Sequence, residues 1–428
     1  NSHTLTKSQI TQFQQHIEQK HGVNIENYSA LHDYSTNNRA DFWRDVIEFC
    51  GVNYHQEATS DLIDDGHMID AQWFNGMTLN FAENLLRHTG KDEALVFERE
   101  DGGTKSYSFD ELRRQVSLLQ QHLKSLGVIK GDCVAAFMPN IPETIIAMLA
   151  TTSLGAIWSS TSPDFGINGV VDRFGQIEPK VLFCANGYQY NGKNFDCLEK
   201  VSHIAEKIES IKQVVVVDYI EQNNHMPSNA VDYKTCVNQY DKNAELHFTR
   251  VPFDHPLYVL CSSGTTGNPK GIVHRTGGML LQHLKELMLH GNVAEGSRLF
   301  YFTTCGWMMW NWMASTLATG ATLVLYEGSP FYPDGNRLFD LTDAHKITHL
   351  GTSAKWISAV EKAGIVPRTS HKLSSLNTIF STGSPLLPEN FDFVYRDIKT
   401  DVCLSSISGG TDICSCFALG NSNLPVYR

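Results

Sequence analysis

One stretch, residues 261–271, constrains this chain more than any other. Apolar residues 257–260 predict a buried strand before it, and leucines at helical spacing around 280–288 predict a helix after it. Glycines at three positions allow a tight backbone turn, while hydroxyl groups, free amides and one lysine offer donors to an anion. The sequence therefore predicts a phosphate-binding loop, whose ligating residues are Ser262, Ser263, Gly264, Thr265, Thr266, Gly267 and Lys270.

The spacing excludes the commonest loop of this kind. The nucleotide-triphosphatase loop has four residues between its glycines and a serine or threonine directly after its lysine. Here two residues separate Gly264 from Gly267, and Gly271 follows Lys270. The alternative is an ordinary hydroxyl-rich surface turn. The combination of glycines, hydroxyl residues and a lysine within about ten residues disfavours that alternative. A polyphosphate is the predicted ligand.

Composition limits the partners of the chain. Its 428 residues are 42% hydrophobic, which predicts a large core and two or three subdomains. Lys and Arg number 34 against 46 Asp and Glu, a net charge of −12, so nucleic acid is not an expected partner. No apolar run approaches the ~20 residues that span a bilayer, and the first residues show no signal-peptide pattern. We therefore expect a cytoplasmic protein without a membrane partner.

The ten cysteines predict packing rather than chemistry. They are scattered through predicted strands and contain no Cys-x-x-Cys pair. Cys414 and Cys416 lie two residues apart, but no second ligand pair accompanies them, so core packing is favoured over a metal or redox site. We expect most of the cysteines to be reduced.

From about residue 94 the chain alternates predicted strands and helices, which is typical of βαβ construction. The predicted fold class is α/β, with two stacked, mostly parallel sheets, covering helices and a ligand crevice at the strand ends. A polar stretch over 221–250 predicts a surface excursion between the two halves. The predicted divisions are a helical N-terminal extension over 1–90, a first α/β subdomain over 91–250 and a second over 251–428.

Two further turns follow predicted strands. Residues 382–385 follow a strand over 377–381, and residues 408–412 follow a strand over 402–404. Their glycines would let a flat base or a phosphate approach the backbone, and their hydroxyls and single carboxylate suit magnesium. On composition alone, two ordinary turns remain the favoured alternative.

The loop over 261–271 resembles the signature of the adenylate-forming enzymes, the superfamily that includes the AMP-forming acyl-CoA synthetases. The resemblance implies an N-terminal domain of that fold that binds ATP with magnesium and uses CoA. Residues 73–84 are similar to the entry sequence of the short-chain acyl-CoA synthetases, and from the residues alone they predict a turn into a helix capped by Asn80.

The same resemblance assigns the other two turns. Residues 383–385 match the segment that lies along adenine, and residues 408–412 match a signature that ends in Thr-Glu. It implies catalytic roles for Thr411 and Asp412, with Asp412 as the magnesium ligand where the family has glutamate. The implied adenine-binding residues are Gly383, Ser384, Pro385, Ser408, Gly409 and Gly410.

The resemblance also implies where the acid binds. Its acyl pocket residues would be Trp307, Met308, Met309, Thr382 and Gly409. Acetate-activating members have tryptophan at the position of Gly409, so the pocket here should be deeper. We expect Trp310 and Trp312 to be core residues. Lys193 lies where the family contacts the CoA nucleotide.

Taken together, these stretches look most like the acetoacetate-activating branch. The implied reaction consumes a carboxylic acid, ATP and CoA and releases AMP and diphosphate. There are two alternatives. The chain could belong to a CoA synthetase for another short carboxylic acid, or it could bind a nucleotide without catalysis. The family continues beyond the position that matches Arg428 with a small C-terminal domain, so we expect these 428 residues to be an N-terminal part with little activity alone.

Overall fold

The computed structural model describes residues 7–221, 226–262 and 269–428. Most of the predicted loop, Ser263 to Gly267, therefore lies outside the described residues. The described helices alternate with strands, as predicted. The α-helices are α1 (Gln9–His21), α2 (Tyr28–Asn37), α3 (Arg39–Phe49), α4 (Phe81–Leu85), α5 (Phe109–Ser125), α6 (Pro142–Ser153), α7 (Ile167–Phe174), α8 (Leu198–Lys207), α9 (Tyr233–Asn238), α10 (Thr276–Leu284), α11 (Met308–Ala314), α12 (Arg337–Ala344), α13 (Ala354–Lys362), α14 (Pro367–Ser370) and α15 (Pro388–Phe393).

The strands are short and bounded mostly by turns. They are β1 (Tyr54–Gln56), β2 (Ser60–Ile63), β3 (Gln72–Asn75), β4 (Thr78–Leu79), β5 (Glu93–Arg99), β6 (Thr104–Ser108), β7 (Cys133–Phe137), β8 (Ile157–Thr161), β9 (Val181–Ala185), β10 (Gly187–Tyr190), β11 (Lys193–Asp196), β12 (Gln213–Val217), β13 (Ala230–Asp232), β14 (Val251–Pro252), β15 (Pro256–Cys261), β16 (Gly271–Arg275), β17 (Arg298–Tyr301), β18 (Thr322–Glu327), β19 (His349–Ser353), β20 (Thr378–Thr382), β21 (Cys403–Ser406), β22 (Ser408–Gly410) and β23 (Ser415–Ala418).

Two seven-stranded sheets form the centre of the fold. The first has the order β13-β12-β9-β7-β8-β15-β16, and the second has the order β21-β20-β19-β17-β18-β5-β6. In each sheet every neighbouring pair is parallel except the last, β15 with β16 and β5 with β6. The predicted α/β class with mostly parallel sheets is confirmed.

The boundary predicted at residue 250 does not separate the two sheets. Strands β5 and β6, from the first half of the chain, pair into the second sheet through β18. Strands β15 and β16, from the second half, extend the first sheet through β8. Each half of the chain thus contributes two strands to the sheet built mainly by the other half. An exposed sheet edge has unpaired backbone groups, and a strand from either half can pair with them.

Helix α6 lies in the apolar core that the sheets share. It is buried along almost its whole length and belongs to the apolar cluster that also contains Val134 of the first sheet and Leu299 and Leu323 of the second. Its one charged residue is Glu143, and the other side chains are apolar, threonine or serine. The helix is therefore part of the core that both sheets share.

The N-terminal helices pack onto this core through apolar residues. Phe13 and Ile17 of α1 and Val46 of α3 are fully buried. Asn80 caps α4 as predicted, accepting from the backbone of Glu83. Its amide also donates to three backbone oxygens, those of Thr152, Ser153 and Thr249. One capping residue therefore ties the N-terminal region to the end of α6 and to the segment before β14.

The helix predicted from the leucines at 280–288 is confirmed, since α10 begins at Thr276 and continues as a π-helical segment to His290. Strand β16, antiparallel to β15, was not predicted and lies between the loop and this helix. At the base of this hairpin the Ser262 backbone amide donates to the Lys270 oxygen over 3.0 Å. The loop therefore connects β15 to the edge strand β16, which supplies the hydrogen bonds that β15 would otherwise lack on that side.

All ten cysteines have free thiols, as expected of packing residues. None of the described helices is both long and apolar enough to cross a lipid bilayer.

Candidate active site

A cavity of about 740 Å³ opens at the carboxyl ends of parallel strands in the second sheet. Its walls follow the last residues of β17, β19, β20 and β21. Open α/β sheets bind ligands at this edge because successive strands deliver their following loops to one place. The loops after four strands therefore build one site.

All five residues predicted for the acyl pocket line this cavity. They are Trp307, Met308, Met309, Thr382 and Gly409. Trp307 is 61% exposed and immediately precedes α11, so its indole lies at the mouth rather than in the core. The two methionines are half-buried and pack against the core. Flexible thioether chains of this kind adapt to ligands of irregular shape.

The predicted adenine residues line the same cavity. Gly383, Ser384 and Pro385 follow β20, and Ser408, Gly409 and Gly410 form β22. Gly383 has a φ of +88°, a conformation that residues with a side chain rarely adopt. The Ile407 amide donates to the Ser381 oxygen over 2.7 Å, which joins the two turns. The structure thus brings the two predicted turns together.

Gly409 is required by close packing within a hairpin. Strand β22 pairs with β23, and a Cβ at Gly409 would lie 2.2 Å from the Ser415 oxygen and 2.6 Å from Cys416 Cα. Such distances are far below van der Waals contact, so no larger residue fits without moving β23. This close backbone approach is a second reason for glycine, beside the deeper pocket expected from the sequence.

Thr411 and Asp412 lie in the turn that joins β22 to β23. Thr411 lines the cavity, whereas Asp412 is exposed and is not among the lining residues. The carboxylate and hydroxyl oxygens are hard ligands that suit magnesium. The Asp412 carboxylate is exposed beside the cavity and forms no ion pair with another described residue. The donor set therefore fits the predicted metal.

His274 connects this turn to the glycine loop. It lies on β16, just after the loop, and burial lowers its pKa, while the Thr411 backbone and the Asp412 carboxylate act in the opposite direction. Lys270, the described cation of the loop, is exposed. Strand β16, which begins directly after Lys270, therefore passes close to Thr411 and Asp412 at His274.

Helix α10 also holds the hairpin in place. His283 Nε2 lies 3.0 Å from the Cys414 oxygen, and His283 Nδ1 lies 2.8 Å from Ser315 Oγ. Gln282 donates a short hydrogen bond to Ser415 Oγ. The segment after the glycine loop and the turn far along the chain therefore form one packed unit.

Sequence reasoning missed Glu286, a buried carboxylate in the cavity wall. It is 1% exposed and belongs to a π-helical segment, Lys285–His290, that continues α10. Segments of this kind are frequent at functional sites. No local signal pointed to it, because a glutamate on an amphipathic helix is usually a surface residue.

The two tryptophans expected in the core are buried, and each has a hydrogen-bond partner. Trp310 Nε1 donates to Asn140 Oδ1 over 2.9 Å, and Trp312 Nε1 donates to Glu286 Oε2 over 2.8 Å. Trp312 also lines the cavity. The indole predicted for packing alone is therefore also part of the site.

Lys193 lies apart from the cavity, at the exposed start of β11. The hairpin that carries it is held by Glu100, which accepts from the amides of Asn191, Gly192 and Ser329 over 2.9, 2.6 and 2.5 Å. This anchoring gives the hairpin a defined position, with Lys193 exposed on it.

One group of potential metal ligands lies elsewhere. His16, Asp45 and Glu48 have ligand atoms within 4.8 Å of one another, among the described residues. The Lys20 ammonium lies 3.0 Å from Asp45 and 2.7 Å from Glu48. A cation already balances these carboxylates, so the group is an ion-pair cluster.

Comparison with known proteins agrees with the geometry. A family model described as AMP-binding enzyme matches residues 81–426, and one described as the N-terminus of acetyl-coenzyme A synthetase matches residues 28–85. An acetoacetyl-coenzyme A synthetase of Rhizobium meliloti is 52% identical over 99% of this chain and 65% of its own length. One of Mus musculus is 44% identical over 98% of this chain and 64% of its own.

Two further relatives bear on the acid and the fold. A malonamoyl-CoA synthetase of Penicillium aethiopicum is 38% identical over 97% of this chain and 62% of its own length. The solved structure of an acetoacetyl-CoA synthetase from Streptomyces lividans matches with a TM-score of 0.95 and 40% identity, over 100% of this chain and 66% of its own. The chain thus spans just under two thirds of the length of these relatives.

Proposed function

This chain belongs to the AMP-binding enzyme family, and from that membership we propose that it activates acetoacetate with ATP and transfers the acyl group to CoA. The products are acetoacetyl-CoA, AMP and diphosphate. The observation that carries the proposal is the single cavity shared by Trp307, Met308 and Met309 with the turns at 382–385 and 408–411. An acid in the first group and a nucleotide on the second would meet there. Relatives named as acetoacetyl-CoA synthetases support the choice of acid.

The first step joins the acid to the nucleotide. A carboxylate oxygen of the acid attacks the α-phosphorus of ATP, and the bond to diphosphate breaks. We assign the diphosphate to Ser262, Lys270 and the residues between them, and the adenine to the turns at 383–385 and 408–410. Donors held in place before the reaction stabilise the charge on the phosphate oxygens, which is the main requirement of this step.

Magnesium, when bound, would neutralise charge on the phosphate oxygens. Asp412 and Thr411 are the residues proposed to hold it, because they offer hard oxygen ligands beside the cavity. Their place on the β22–β23 turn keeps these oxygens next to the nucleotide residues Gly409 and Gly410.

The second step transfers the acyl group. The CoA thiolate attacks the carbonyl carbon, and AMP leaves with the electrons of the acyl–phosphate bond. Lys193 is proposed to contact a phosphate of the CoA nucleotide, since it is an exposed cation on a hairpin that Glu100 anchors. No serine or cysteine nucleophile is required.

Another short acid is the alternative substrate, and the malonamoyl-CoA synthetase among the relatives favours including malonamate. Acid-dependent exchange between ATP and diphosphate tests both. We expect acetoacetate to give the highest kcat/KM among acetoacetate, malonamate, acetate, propionate and butyrate. A preference for acetate would refute the proposed substrate, and no exchange with any acid would favour nucleotide binding without catalysis.

The measurement is made on the 428-residue chain and on a protein extended at its carboxyl end to the length of the relatives. We expect much slower exchange from the 428 residues alone. Equal rates would contradict that expectation.

The role of Lys270 is tested by binding. Lys270→Met removes a cation from the diphosphate but not from AMP, so ATP affinity should fall about tenfold and AMP affinity should hardly change. Lys124→Met, at an exposed site on α5, is the matched control. Equal losses for ATP and AMP would place Lys270 elsewhere.

A further inference from the structure

Glu286 is the only residue charged at neutral pH among the described residues that line the cavity. The others are apolar, aromatic, hydroxyl-bearing or glycine, with the thiol of Cys416. The adjacent cation is Lys285, whose Nζ lies 3.9 Å from Glu286 Oε1. Lys285 does not line the cavity. A ligand in the cavity therefore meets a buried carboxylate in a wall without a lining cation.

The carboxylate is held by several donors, which keep it ionised. Oε1 accepts from Gln282 Nε2 over 2.8 Å, from Ser415 Oγ over 2.5 Å and from the Cys416 amide over 3.2 Å. Oε2 accepts from Trp312 Nε1 over 2.8 Å. Burial favours the neutral acid, but Lys285 and these hydrogen bonds outweigh it and hold the pKa of Glu286 below its ordinary value.

The contact with Trp312 places this charge beside the predicted acyl pocket. Trp312 donates to Glu286 and lies four residues after Met308 on α11, so the two side chains project from the same face of that helix. All three residues line the cavity. The reacting carboxylate must lie beside the nucleotide, so we place the rest of the acid among the acyl-pocket residues, where it meets the field of Glu286.

We propose that Glu286 is a specificity residue that admits acids with an uncharged far end and rejects dicarboxylates. The inference rests on the proposed function. A like charge within roughly 6 Å, at an effective dielectric constant of about 20, weakens binding by more than about tenfold. A keto, amide or methyl group at the same place carries no such cost.

Malonate and malonamate provide the test, because they differ only in a carboxylate replaced by an amide. Their dissociation constants, and that of acetoacetate, are measured by ligand-observed NMR on the 428-residue chain with saturating AMP. At about pH 7.5 both carboxyls of malonate are ionised. We expect malonate to bind at least about tenfold more weakly than malonamate.

Variants at one position separate charge from packing. Glu286→Gln removes the charge and should bring malonate to within about threefold of malonamate. Glu286→Asp keeps the charge while disturbing the same hydrogen bonds, and should preserve the rejection of malonate. Glu295→Gln, an exposed carboxylate nearby in sequence, should leave the ratio unchanged. Circular dichroism and AMP affinity report that each variant is folded.

The outcomes are distinct for the two proposals. If Glu286→Gln binds AMP and acetoacetate but still rejects malonate, the role of Glu286 is overturned and the proposed function stands. If Glu286→Asp loses the rejection as fully as Glu286→Gln, packing rather than charge decides. If the unmodified chain binds neither AMP nor any acid, both proposals are overturned.

Discussion

Trp312 and Glu286 are joined by a hydrogen bond of 2.8 Å between indole Nε1 and Oε2. Trp312 belongs to the helix that follows the Trp307 segment, and Glu286 to the helical segment that follows the glycine loop. Both side chains are almost fully buried and line the same cavity. One contact therefore joins the predicted acid-binding segment to the segment that leads away from the predicted phosphate loop.

Replacing Trp312 with phenylalanine should destabilise the protein by about 3 kcal/mol. The change removes the donor to a buried carboxylate oxygen and part of an indole that is 2% exposed. Guanidinium denaturation measures the free energy of unfolding. Trp307→Phe, at a residue 61% exposed, should change it by less than about 0.5 kcal/mol. Similar losses in both variants would contradict a structural role for the Trp312–Glu286 bond.

Two adjacent glycines offer a matched pair in the β22–β23 hairpin. Gly409→Ala places a Cβ against the Ser415 oxygen, so we expect a loss of about 2 kcal/mol or more and weaker AMP binding. Gly410→Ala meets nothing within 4 Å and should be tolerated. Thermal unfolding and AMP titration measure both. If Gly409→Ala were as stable as Gly410→Ala, the close approach of the two strands would be refuted.

Acid should destabilise the protein through His349. Burial lowers its pKa from 6.5 to about 4, and the ring contacts the Gly291 oxygen over 2.9 Å and the Thr348 hydroxyl over 2.7 Å. The unfolded chain binds the proton at the higher pKa, so this contribution is complete above pH 6.5 and is lost as pH falls towards 4. From this group alone the loss is about 3 kcal/mol.

The check is the slope of unfolding free energy against pH, measured by denaturant titration. His349→Asn should flatten the slope between about pH 6.5 and 5, whereas His203→Asn, at an exposed site, should leave it unchanged. An unaltered slope in the first variant would mean that His349 does not carry the effect.

Local patterns in the sequence predicted the strands that lead into the three turns of the candidate site, and the turns themselves. The apolar run 257–260 became the buried part of β15, because such runs have few other ways to satisfy both burial and backbone hydrogen bonding. Gly383 and Asn80 were likewise predictable, since a positive φ and a helix cap each favour particular residue types.

Strand β16 was harder to predict. Residues 271–275 are too short to show a period, and their strand conformation depends on the exposed edge of β15. The sheet that β5 joins was hard to predict for a similar reason, because its partner β18 lies more than two hundred residues further along the chain. Pairing between such distant strands produces no pattern in the local sequence.

By itself, then, the sequence determined the α/β class, the turns that contain the candidate nucleotide and acid residues, and the resemblance to a family. Only the tertiary structure decided that β5 and β16 cross between the halves, that Gly409 must contact the backbone of Ser415, and that Glu286 faces the cavity. The physical reason is range. Side-chain periodicity and backbone preference act over a few residues, whereas the bond from Cys416 to Glu286 joins positions 130 residues apart.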